Sequence, residues 1–160
     1  MSELHVVHVF GSDYAPETGW RLLQWCADRG ATDFNVHGII CDGRGDEALK
    51  PFDRLAEASR LDPAPRKDLS HGDVRELELW SLNKQTLDAL RLAFPQGLFD
   101  YNPAADAWFE DLTVYRSGEL LLGIITHEAE GVLRLSPSDL SSFRSAGFVA
   151  QAQGKWVAYA

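Results

Sequence analysis

The chain has 160 residues, 45% of them hydrophobic, with five Trp, eight Phe and a formal net charge of −9. That length suits one domain with a substantial core, and the aromatic and apolar content excludes a disordered chain. The acidity opposes general binding to phosphate backbones, and no apolar run approaches the roughly 20 residues that a membrane-spanning helix needs.

Met1-Ser2-Glu3 opens the chain without the basic segment and apolar run of a signal peptide, so a cytoplasmic location is expected. Cys26 and Cys41 form no CxxC pair. They are expected to be buried free thiols, with no zinc or redox role.

Residues 4–10, LHVVHVF, predict a central strand. His5 and His8 are three apart, so a strand points them to opposite faces, against a shared metal. After a loop at 11–15, Pro16 and Glu17 suit a first helical turn. That helix covers 16–29, buries Trp20, Leu23 and Ala27, and stops at Gly30. Residues 34–41 predict a second strand, and the strand–helix–strand order points to a right-handed parallel unit.

Residues 42–46, DGRGD, form a turn without the Lys-Ser/Thr of a phosphate loop. A helical pattern at 46–59 is interrupted by Pro51. Residues 61–72 contain two prolines and predict a polar loop. Residues 73–80, DVRELELW, alternate as a strand. Leu87, Leu90 and Phe94 mark a helix over 82–94, ended by Pro95-Gln96-Gly97, and a loop follows over 98–107.

The most regular pattern is at 108–136. Leu112 and Val114 alternate with Thr113 and Tyr115, Ser117-Gly118 breaks the run, and Leu120, Leu122 and Ile124 resume it. This is an antiparallel hairpin. A type I turn with Gly118 in a G1 bulge pairs Tyr115 with Glu119, whereas a two-residue loop pairs Arg116 with Glu119. The first is the reading adopted here. It gathers Trp108, Leu112, Val114, Leu120, Leu122 and Ile124 on one apolar face. Phe109, Asp111, Thr113, Tyr115, Glu119, Leu121, Ile125 and His127 then share the other, as a solvent face or a partner surface. A third strand is expected at 132–135. Ser136 can cap a following helix, with Pro137 at its first position and Asp139 in its first turn. That helix ends at Gly147, and a terminal hairpin is expected from 148–152 and 155–159.

His127, Glu128 and Glu130 are the most chemical-looking cluster. A His with a carboxylate can act as an acid–base pair or ligate metal. The HExxH motif fails, because position 131 is Gly131. No GxSxG elbow is present. A polar loop at a hairpin end is the simpler account.

The stretch FEDLTVYRSGELLLGIITHEAEGVLRLS, residues 109–136, resembles the sheet region of small acidic bacterial immunity proteins, which neutralise toxins of polymorphic-toxin and contact-inhibition systems. The resemblance implies a cytosolic binding protein, without a cofactor, whose acidic face covers a basic toxin.

The expected fold is a single α+β domain over residues 1–160: a mixed or antiparallel sheet, three to four packed helices and a C-terminal β-meander. The expected function is a protein-binding module, an immunity protein facing a basic protein partner. Asp111, Tyr115, Glu119, His127, Glu128 and Glu130 are its candidate contact residues. No metal, cofactor, catalytic residue, nucleic acid or membrane partner is expected. The competing readings are a small α/β enzyme using Asp13, Tyr14 or His37 near the ends of the first strands, and a structural or adaptor subunit.

Overall fold

The computed structural model describes residues 3–40, 52–53, 56–100 and 107–151. The predicted turn at 42–46 and most of the predicted helix at 46–59 lie outside them, as do Cys41 and the predicted strand at 155–159.

Seven strands and three helices make up the described residues. In chain order they are β1 (His5–Phe10), α1 (Pro16–Asp28), β2 (Asp33–Ile40), β3 (Arg60–Asp68), β4 (Asp73–Ser81), α2 (Lys84–Ala93), β5 (Ala107–Arg116), β6 (Glu119–Ile125), β7 (Glu130–Leu135) and α3 (Pro137–Ser145). The strands form one open sheet, ordered β1-β7-β6-β5-β2-β4-β3, in which every pairing is antiparallel.

This corrects the expected mixed or antiparallel sheet with three to four packed helices: the sheet is open and wholly antiparallel, and the described residues hold three helices. β1 and β2 run in the same direction, but β7, β6 and β5 lie between them. The predicted parallel unit therefore does not form. α1 carries the chain across the sheet instead of joining neighbours. The predicted loop at 61–72 is also corrected, since most of it is β3. Pro63 and Pro65 disguised it. Proline is tolerated in a sheet at an edge, and β3 is an edge strand. The predicted strand at 148–152 reduces to one bridge, Gln151 with His8, against the outer side of β1.

Local signals explain the helices. Asn83 accepts from the Thr86 amide while the Thr86 hydroxyl accepts from the Asn83 amide, a reciprocal cap on α2. Ser136 and Asp139 do the same for α3, with Pro137 at its first position. The three helices cover one face of the sheet. Trp20, Leu22, Leu23, Leu90, Phe94 and Phe143 meet Val7, Val9, Phe34, Leu112, Val114, Leu122, Ile124 and Leu133 there.

The other face holds a second, smaller core of Leu69, Leu77, Leu79, Tyr115, Leu120, Ile125 and Val132. Its cover is the β3–β4 ribbon. β4 meets β2 at Asp33↔Ser81 and Phe34↔Trp80, then peels away. The ribbon folds back over β5–β7, and five contacts pin it. Arg66 Nε donates to Asp33 Oδ2 at 3.0 Å, and its guanidinium lies 5.7 Å from the centre of the Tyr115 ring. Tyr115 Oη donates to the Lys67 carbonyl at 2.7 Å. Ser70 Oγ donates to Asp111 Oδ2 at 2.8 Å. Leu69 fills the space above Gly123, where a Cβ would run into it.

The hairpin register differs from expectation. Arg116 pairs with Glu119, and Ser117 and Gly118 both take positive φ (52° and 80°), as in a two-residue type I′ turn. An extra residue, Leu121, lies between the pairs Tyr115↔Leu120 and Val114↔Leu122. A second irregularity sits at Asp111, φ 56°, opposite a register shift in β2. Each bulge reverses which face the following residues point to. Leu112, Val114, Leu122 and Ile124 accordingly share the helical side as expected, but Phe109 and Leu121 join them. Leu120 and Tyr115 lie in the smaller core. Trp108 falls on the ribbon side, with Nε1 donating to Glu110 two residues on.

A third set of contacts ties three distant segments. Asp139, 2% exposed, accepts from Arg29 at the end of α1 (2.7 and 3.0 Å) and from Arg116 at the end of β5 (2.7 and 3.2 Å). The two guanidiniums, Arg116 foremost, hold its carboxyl well below the usual carboxylate range.

Gly123→Ala should destabilise the protein by about 1–3 kcal/mol through overpacking against Leu69. Leu69→Ala alone should also destabilise it. In the double variant the two losses should fall short of their sum, because the smaller side chain at 69 makes room for the new methyl. Urea denaturation of the four proteins measures this, and strictly additive losses would place the ribbon elsewhere.

Candidate functional site

The ribbon tip and the β5–β6 hairpin bring together more buried polar groups than any other described part of the sheet. Asp68, 2% exposed, closes the tip. Its Oδ1 accepts from the Ser70 amide at 3.0 Å and, at the 3.4 Å limit, from the His71 amide, while its Oδ2 lies 2.8 Å from His71 Nδ1. Arg75 Nε approaches the same oxygen at 3.6 Å. These local bonds follow from an Asp two and three residues ahead of the amides it receives, the usual Asx-turn arrangement.

Asp111 faces the tip from the sheet. Its amide donates to Thr126 Oγ1 at 2.8 Å, and its Oδ1 accepts from the Thr126 amide at 2.9 Å. Oδ2 takes the Ser70 hydroxyl. Asp tolerates the left-handed backbone it adopts here. The aspartate thus secures its own bulge, the start of the 3₁₀ turn at Thr126–Glu128, and the ribbon.

The chemistry open to this cluster is limited by its pairings. A proton on His71 Nδ1 would sit against Asp68, leaving Nε2 as a base on a side chain that is half exposed. Ser70 donates to Asp111 and not to His71, so the hydroxyl and the imidazole do not form a nucleophile–base pair. Among the described residues no group of three or more His, Cys, Asp or Glu is placed to hold a metal ion.

The six predicted contact residues do not form one surface. Tyr115 is fully buried and Asp111 nearly so, so neither can anchor a partner; this corrects both assignments. Burial pushes the Tyr115 hydroxyl far above its ordinary range. Glu119 is exposed beside the β5–β6 turn, 3.8 Å from Arg134. His127, Glu128 and Glu130 lie at the opposite end of β6, where His127 is largely exposed and 3.9 Å from Glu128. At about 3.4 Å per residue the length of β6 sets them roughly 20 Å from Glu119.

The residues of the competing enzyme reading are also apart. Tyr14 is packed between Phe99 and Phe148, and its hydroxyl donates to the Val149 carbonyl at 2.7 Å. Asp13 follows β1, while His37 is on β2, four strand positions away. That is about 19 Å at the usual strand spacing.

Sequence reasoning does not find Asp68, His71 and Ser70, because the two prolines give the stretch the pattern of a loop, and the cover on Tyr115 is hidden by the same pattern. The signal that could have found them is the alternation Ala64, Arg66, Asp68 against Pro65 and Lys67, which the prolines obscured.

His8 stands apart. It is fully buried on β1, and among the described residues neither ring nitrogen has a hydrogen-bond partner. Burial lowers its pKa below 6.5, against an opposing pull from Glu130. No family model, curated protein or solved structure matches the chain. Among the described residues no helix is long and apolar enough to cross a membrane.

The unfolded chain protonates His8 near pH 6.5 whereas the folded chain resists it, so the fold binds fewer protons below that pH. Stability should therefore be full above about pH 6.5 and decline as the pH falls through that value. His8→Leu should flatten the slope between about pH 6.5 and 5, read as urea midpoints against pH. An unchanged slope in the variant would assign the effect to other groups.

Proposed function

We propose that the chain is a protein-binding module whose acidic surface covers a basic protein partner, in the manner of the immunity proteins that its central stretch resembles. The observation that carries this reading is the direction in which arginines turn. Arg29 and Arg116 are held by buried Asp139, and Arg66 by buried Asp33. Those five side chains hold one net positive charge, so the rest of the chain is more acidic than the formal −9. Excess charge of one sign steers an opposite partner and raises its association rate.

The ribbon replaces the β5–β6 hairpin as the contact surface in this reading. Along β4, Leu77 and Leu79 face the smaller core while Val74, Glu76 and Glu78 alternate outward and are exposed. Val74 is 66% exposed, and Leu61 and Asp62 are exposed near Glu78 across the ribbon. Glu76, Asp62 and Glu78, the last 3.6 Å from Arg60, lie around exposed apolar side chains and suit a basic surface with a small apolar centre. A cytoplasmic site of action, without cofactor or nucleic acid, belongs to the same reading.

The test starts from a basic protein that co-purifies from the native cell and binds again when both are pure. Reversing Glu76 and Glu78 to Lys together should slow association by about ten-fold at low salt, with the difference shrinking as salt is raised. Val74→Asp should speed dissociation while leaving the urea midpoint unchanged, since Val74 is outside the core. Specific turnover of a small molecule, with no protein partner recovered, would overturn the proposal.

A further inference from the structure

On the helical side, away from the ribbon, α1 and α2 leave a groove of about 370 Å³ between them. Trp20 and Leu87 line it with apolar surface, and both pack on the large core. Lys84 and Arg91 converge on the same groove, with Asp88 beside them, while Arg21 at its border turns its guanidinium to the Phe148 ring, 5.4 Å from its centre. Two cations meeting on one groove of a chain with a net charge of −9 run against the rest of its surface.

Their existing partners leave room for a ligand. Arg91 lies 5.5 Å from the centre of the Trp20 ring, which fixes its guanidinium at the groove, and its contact with Glu17 is long and exposed at 3.5 Å. Arg21 donates through one nitrogen to the Ala146 carbonyl at 3.2 Å. The side chain of Lys84, the first residue of α2, makes no hydrogen bond or ion pair among the described residues. It stands one and two turns along α2 from Leu87, Asp88 and Arg91, on the face those residues share.

We propose that this groove binds a small organic carboxylate with an apolar body and a hydrogen-bond donor. The volume lies toward the lower end of the roughly 300–1,000 Å³ of small-molecule sites. Trp20 and Leu87 take the apolar body. Lys84 and Arg91 take the carboxylate, Arg91 through the planar fork that matches two oxygens. Asp88 takes the donor, and its charge selects a monoanion over a phosphate dianion. Screening confines the influence of distant acidic groups to about 8 Å at physiological salt, so the placement of Lys84 and Arg91 relative to Asp88 and Glu17 decides the site. The proposal is independent of the partner surface on the ribbon.

Isothermal titration with 4-hydroxyphenylacetate and its neutral amide, 4-hydroxyphenylacetamide, tests it on the full chain. The acid should bind with a Kd of about 1 mM or tighter, and the amide at least about ten-fold more weakly. Lys84→Ala should weaken the acid by about ten-fold. Lys84 is exposed and outside the core, so the variant should keep its circular dichroism and urea midpoint. Glu17→Gln, which releases Arg91 from its carboxylate, should tighten binding by about two-fold. No saturation below about 10 mM, equal binding of acid and amide, or unaltered binding by the Lys84 variant would each overturn the proposal.

Discussion

The central strands are apolar on both faces, and that constraint shapes the molecule. Leu112, Val114, Leu122 and Ile124 on one side, and Tyr115, Leu120, Ile125 and Val132 on the other, are all buried. An antiparallel sheet with one wet face would leave the second set in water. Burying them at about 25 cal/mol per Å² of apolar surface favours a second cover. The ribbon provides it, which explains why β4 leaves β2 after two residue pairs and why residue 123 is a glycine.

Asp139 does for the chain ends of several elements what the ribbon does for the sheet. One carboxylate receives two guanidiniums and closes the cap of α3 at once, through Ser136. A buried carboxylate is tolerable only when its lone pairs are filled. Here they are filled from α1 and β5, so the helix that follows the meander is locked to the first helix and to the long central strand. The Arg116 guanidinium also donates to the Arg29 carbonyl, satisfying an acceptor at the end of α1.

Elements with a local physical cause were legible in the sequence. Pro16, Ser136 with Asp139, and Ser117-Gly118 mark their boundaries directly. What depended on distant partners was not. The parallel unit looked sound because β1, α1 and β2 follow one another, yet strand order is set by burial of the later meander. β3 was hidden by prolines that only an edge position allows. Two bulges, at Asp111 and Leu121, exchanged Phe109, Leu120 and Leu121 between faces, and no residue type announces them. The candidate site failed for the same reason. Tyr115 and Asp111 read as surface groups until the ribbon, more than forty residues away in sequence, was placed over them.

The two borders of the open sheet have different guards. Gln151 occupies backbone groups of β1 at His8. On β3 the prolines at 63 and 65 have no amide hydrogen to offer a neighbouring chain. An open sheet of seven strands is otherwise a template on which further chains could stack without end. With one border occupied at His8 and the other short of donors, strand addition is disfavoured at both. The same prolines that concealed the strand are therefore what allow it to stand exposed at the rim.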